Sequence, residues 1–266
     1  MSQIKKLAGQ TLIYGLSTML GRFLFYLLVK VHTEALKPFL YGKLTFFYAS
    51  IAILTVILTF GLETGFFRFA CKKDEDYKKV LGTSLFTMFL TSTIFIISSV
   101  IFKNLWQRYF EINNYRILIY FVIIIALEVL SAIPFAKLRI DERPIKFMIT
   151  KLIGITAIIV INLFYLVLCR NSFEAGRTGL FARLYNPDLA LDYVLIANLT
   201  GSAITFIILL PEIIKVKLIF DFSLFKRLLN YSFPILLIGL AGMLNDNIDK
   251  LLIKPVVNKP AKRKKK

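Results

Sequence analysis

The sequence predicts an all-α integral membrane protein of about seven transmembrane helices, and three observations carry that prediction. Hydrophobic residues make up 57% of the 266 positions and charged residues 19%. A soluble domain carries about a quarter charged residues and less than half apolar ones. The apolar residues also gather into seven blocks of the length, about 20 residues, that a helix needs to cross ~30 Å of hydrocarbon. Phe, Leu and Ile occur on every side of these blocks, which excludes the alternation of a β-barrel strand. A soluble enzyme does not fit such a chain.

The blocks run over 11–30, 44–62, 80–102, 117–137, 147–169, 193–214 and 231–253. No small-residue cleavage site follows the first, and it is long for a signal peptide, so it reads as a retained helix. Residues 1–214 form a six-helix unit. The connection 215–230 then changes character. Asp221 or Ser223 is placed to cap a short helix in which Phe222, Phe225, Leu228 and Leu229 share a face, with Lys226 and Arg227 off it. That pattern predicts an amphipathic helix on the cytoplasmic surface. Residues 231–253 read as the first helix of an incomplete second unit.

The formal net charge is +18. Its Lys and Arg residues sit between the apolar blocks, where they report topology rather than nucleic-acid binding. Sixteen of them fall in the N-terminus and the even connections, against eight in the odd ones. This bias places the N-terminus in the cytoplasm of a multi-pass protein in the cell's inner (cytoplasmic) membrane. The tail 254–266 breaks the pattern, with seven basic residues and no acid. The expectation is a disordered or non-native end, as a shifted reading frame would produce.

Ionisable groups at membrane depth cost several kcal/mol unless paired or hydrated, so each is a functional candidate. Arg22 lies in the middle of the first block, and its planar fork suits a phosphate. Glu128, half-way along the fourth block, is its expected ion-pair partner and a candidate for ion coupling. Glu63 and Arg68 end the second block. Five residues apart is about 500° of helix, so these two side chains point ~140° away from each other and face different neighbours. Lys151 lies one turn inside the fifth block and is expected to snorkel to the surface. Asp246 and Asp249 belong to a polar run in the seventh block, with Asp246 and Lys250 spaced for a local pair.

No metal site is expected, because His32 is the sole histidine and only two cysteines occur, Cys71 and Cys169. These cysteines fall at opposite membrane faces and do not pair. The run Asp74-Glu75-Asp76 among lysines reads as a solvated charge mixture. No Gly-rich phosphate loop, nucleophile elbow or zinc motif is present, so no enzyme chemistry and no cofactor is expected.

Several segments together carry a resemblance. They are Ser2–Thr11 leading into Tyr14-Gly15-Leu16-Ser17, then Gly21-Arg22-Phe23-Leu24, Tyr41-Gly42, and Gly61-Leu62-Glu63-Thr64-Gly65-Phe66-Phe67-Arg68-Phe69. The loop Leu138-Arg139-Ile140-Asp141-Glu142-Arg143-Pro144 follows, and then Tyr231-Ser232-Phe233-Pro234 running into Gly239-Leu240-Ala241-Gly242. In order and spacing the chain resembles the bacterial polysaccharide-biosynthesis, or oligosaccharide flippase, proteins of the multidrug/oligosaccharidyl-lipid/polysaccharide superfamily. The resemblance covers residues 1 to about 255. It implies the first six-helix lobe of a two-lobe transporter plus one helix of the second. It further implies alternation between inward-open and outward-open states and flipping of a polyprenyl-diphosphate-linked oligosaccharide across the membrane. Arg22 and Arg68 match arginines of the family pattern and would meet the diphosphate, while Glu63, Glu128, Asp246 and Asp249 would balance charge or couple an ion. The expected partners are that lipid-linked sugar, membrane lipids, and a missing C-terminal lobe or a second copy. A drug/cation antiporter on the same scaffold, or a fragment without transport activity, are the alternatives. Two departures stand out: the basic tail, and Val29-Lys30-Val31-His32-Thr33 where the family ends its first helix differently.

Overall fold

The computed structural model describes the backbone of residues 2–111 and 114–257, and the side chains of residues 9, 11–111 and 114–245. Among the described residues the chain is all helix, with no strand. Seven helices are long and apolar enough to cross a membrane, as the composition required, and the protein is an all-α, multi-pass membrane protein.

The first spanning helix, α1, runs from Ser2–Ala35 and gives way to α2, Pro38–Thr59, whose proline sits in its first turn. Proline there needs no N–H and pushes the preceding residue out of helical space, so the corner is fixed locally. Phe60 (φ 50°) and Gly61 (φ 64°) are both left-handed and end α2, and a short helix α3, Leu62–Ala70, starts afresh. Helix α4, Tyr77–Ile101, is capped by Asp76, which accepts the Lys78 amide at 2.9 Å. The short α5, Lys103–Phe110, leads to α6, Tyr115–Ile140, capped by Asn114. Helix α7, Pro144–Leu163, again begins at a proline and continues without a break through a π-helical turn, Phe164–Cys169, into α8, Arg170–Glu174. A one-turn helix α9, Leu180–Arg183, precedes α10, Ala190–Ile214.

The remaining helix corrects an expectation. Instead of a surface helix at 215–230 followed by a separate span, one continuous helix α11, Phe222–Val257, covers both. Asp221 caps it, accepting the Leu224 amide at 3.0 Å. Its buried stripe is Leu224, Leu228, Ser232 and Leu236, not the face through Phe222 and Phe225, and Phe222 is exposed. The stripe follows the protein wall that α11 meets, α2 and α3, rather than a membrane–water boundary.

Helix α6 is the centre of the bundle, flanked by α4 and α10, with α7 on α10 and α1 on α7. At one end Phe47, Trp106, Phe110 and Phe121 interlock, with Phe47 and Phe110 stacked at 5.0 Å. Helices α7 and α10 approach most closely at Gly154 and Gly201. A Cβ on Gly154 would stand 2.2 Å from Thr205 Oγ1, and one on Gly201 would stand 2.8 Å from the Gly154 carbonyl. Small residues at such a crossing are how membrane helices gain van der Waals contact where lipid offers no hydrophobic drive. Helices α1 and α11 form the rim. Only 17% of the apolar window of each is buried, against 61% for α6.

Candidate functional site

Beside the Gly154–Gly201 crossing the helices diverge and leave a cavity of about 550 Å³. It lies between α1, α2, α6, α7 and α10, and α3 adds Glu63 to its lining. Four ionisable side chains line it: Glu63, Glu128, Arg139 and Lys151.

Lys151 is the notable one. Half-buried, it leans toward the start of α7, its ammonium 5.2 Å from the Phe147 ring centroid one turn back and 5.6 Å from that of Phe135 on α6. Among the described residues it forms no ion pair. The two ring faces, one on its own helix and one on α6, give the ammonium a cation–π setting. Glu128 accepts a hydrogen bond from Thr55 Oγ1 at 3.2 Å. It does not pair with Arg22, contrary to expectation. Helix α1 turns Gly21 onto Ile155 of α7, where an added Cβ would stand 2.8 Å from Ile155 Cδ1. The next residue, Arg22, is thereby rotated about 100° toward the rim. Arg22 is exposed and makes no hydrogen bond or ion pair with the described residues. It continues the stripe of Thr18 and Phe25, both of which line the cavity.

Glu63 and Arg68 diverge along α3. Glu63 faces the cavity and accepts a bond from Arg139 Nη2 at 2.9 Å. Arg68 is exposed on the other side, its guanidinium 4.3 Å from the Tyr231 ring of α11. The expected role of Arg68 in the cavity is therefore corrected: the angle that separates it from Glu63 points it at α11. Asp246 and Asp249 fall on α11 by backbone, but their side chains lie outside the described residues.

Arg139 and Lys151 are the site residues that sequence reasoning missed. Both had been counted as topology markers. For Lys151 the signal is its place two turns inside α7 with no acid one turn away; Arg139, the penultimate residue of α6 with Asp141 and Glu142 just beyond, reads as an ordinary basic helix end and carries no such signal. Glu63 and Arg139 also border a second cavity of about 590 Å³, lined by Tyr14, Thr64, Phe67 and Cys71 among others. They are the two side chains that the cavities share.

A second charged cluster has a different character. Glu212, buried at the end of α10, meets Lys137, Lys146 at 2.6 Å and Arg143 at 3.2 Å. Lys137 also pairs with Asp141 at 3.0 Å, and Tyr77 donates to Asp141 at 3.0 Å. The acidic run is likewise put to use: Asp76 caps α4 and Glu75 pairs with Arg227 of α11. His32 is buried with Nε2 2.9 Å from Asn162 Oδ1, a link between α1 and α7. Among the described residues no three His, Cys, Asp or Glu side chains form a metal-sized group, and both cysteines are free.

No protein-family model, curated protein or solved structure matches this chain. The resemblance in its motifs stands on those residues alone.

Proposed function

We propose that this chain is the substrate-handling six-helix lobe, with one helix of a second lobe, of a transporter that moves polyprenyl-diphosphate-linked oligosaccharide across the cytoplasmic membrane. In that reading the N-terminus is cytoplasmic, and the cargo is destined for cell-surface polysaccharide. The observation that carries it is Lys151: among the described residues an ammonium with no carboxylate in direct contact, beside two aromatic rings on the wall of a cavity of about 550 Å³. Two further cations support it, Arg139 in the wall and Arg22 on the rim stripe. Glu63 and Glu128 share the wall, yet neither touches the ammonium, so an anionic guest can take that contact, and a diphosphate is one small enough to enter on a lipid tail. Threonine and serine hydroxyls of α1, α2 and α10 in the same wall suit the sugar end.

Native mass spectrometry of the chain in nanodiscs, supplied with a short polyprenyl-diphosphate disaccharide or its monophosphate counterpart, tests the reading. Retention of the diphosphate in preference to the monophosphate is expected. Lys151→Ala should weaken it roughly tenfold, the equivalent of one charge-assisted hydrogen bond. Equal retention of both ligands, or retention indifferent to Lys151, overturns it. A second reading, a drug/cation antiporter, is favoured by Glu128, whose carboxylate has Thr55 as its one direct partner among the described residues. Saturable retention of an organic cation, lost in Glu128→Gln, would decide for it.

A further inference from the structure

We propose that Arg139 is an anion-receiving site between the two cavities, and that Glu63 is the internal stand-in which an incoming phosphate oxyanion displaces. The inference deepens the translocation reading and rests on it for the identity of the cargo. Three observations carry it. Glu63 and Arg139 are the side chains common to the linings of the 550 Å³ and 590 Å³ cavities, so their contact is the partition between them. The pair is single-pronged: Nη2 of Arg139 meets Glu63 at 2.9 Å, while Nε of Arg139 is buried without a hydrogen-bond partner among the described residues. Finally, the next cation along the wall is Lys151, with no carboxylate in direct contact among the described residues.

A guanidinium presents Nε–H and Nη–H as a fork that matches two oxygens of one phosphate. The glutamate occupies one prong and leaves the other unsatisfied, a state that costs free energy in a buried setting. A phosphate oxyanion arriving from the second cavity would engage both prongs and release Glu63. The partition would open as the headgroup is bound, with Lys151 next in line. Side chains of Glu63 and Arg139 are 43% and 38% exposed, so the ion pair between them is weak enough to exchange.

The test reads Arg139 directly. The full chain, labelled with 15N at arginine and held in phosphatidylcholine nanodiscs, gives an Nε–H signal for Arg139, assigned by its loss in Arg139→Lys. Titration with inorganic pyrophosphate should move that signal downfield. Glu63→Gln should lower the midpoint about five- to tenfold by removing the competitor. Should Glu63→Gln fail to fold, Glu63→Asp, whose carboxylate stops short of Arg139, is expected to act in the same direction. Farnesyl diphosphate in the nanodisc separates the two sources of the group. A response to both probes means the phosphate suffices, and a response to farnesyl diphosphate alone means a lipid-borne headgroup is required; both support the site. No response to either, an equal response to chloride at matched ionic strength, or a higher midpoint in Glu63→Gln overturns it. Lost preference for the diphosphate lipid in mass spectrometry with an intact Arg139 response would sink the translocation reading alone, and the converse would sink the Arg139 site alone.

Discussion

The central cavity and the Glu212 cluster use the same residue types and treat them in opposite ways. Around Glu212 one buried carboxylate collects three cations from two helices and their connecting turn, and its neighbour Asp141 adds a tyrosine and a second contact to Lys137. Every group there has a partner, and the cluster fastens the ends of α6, α7 and α10 together. In the cavity the accounts are left open. Among the described residues Lys151 has rings but no carboxylate in direct contact, Arg139 has an idle Nε, and Arg22 makes no hydrogen bond or ion pair. Charges that hold a fold are fully satisfied by the fold, whereas charges left with spare donors point to something that arrives later.

That contrast can be broken or sharpened by substitution. Glu212→Gln should have the largest effect on stability, about 3 kcal/mol, because it strands three cations around a neutral amide. Thermal unfolding in detergent measures it, and a loss below 1 kcal/mol would erase the distinction. Gly201→Val should come next. It drives a side chain into Ile158 and the Gly154 carbonyl and costs about 1–3 kcal/mol in the same assay. Lys151→Met should go the other way, leaving stability unchanged or raised by up to ~1 kcal/mol, since an apolar side chain no longer needs hydration there. Its diphosphate retention should nevertheless fall about tenfold. Arg68→Ala should be the mildest, about 0.5–1 kcal/mol for the lost contact with Tyr231, with ligand retention unaltered. A retention loss in Arg68→Ala would return that arginine to the site.

Fold class was plain in the sequence because bilayer thickness imposes a length on every span, and seven apolar blocks have that length. Their ends were less plain. The fifth span continues through the π turn to Glu174, since nothing in Phe164–Cys169 breaks a helix. The predicted surface helix is continuous with the seventh span because one buried stripe, Leu224, Leu228, Ser232 and Leu236, runs through both and packs on α2 and α3. At the site, the divergence of Glu63 and Arg68 was legible from helical angle alone. Which of them would face the cavity was not, because that depends on where α11 packs. The setting of Lys151 was only half legible: Phe147 one turn back on its own helix follows from spacing, whereas Phe135 comes from α6 and depends on how the two helices pack.

The notch formed by Gly61 and Gly65 ties these threads together. A Cβ at Gly61 would stand 3.1 Å from the Ser232 carbonyl, and one at Gly65 would stand 2.3 Å from Ser232 Oγ, so α11 rests on α3 almost backbone to backbone. Such a seat makes α11 a post rather than a tether. Its contact falls on the two glycines that flank Glu63 in sequence, so the packing of α11 and the position of that carboxylate are set by the same short stretch of α3.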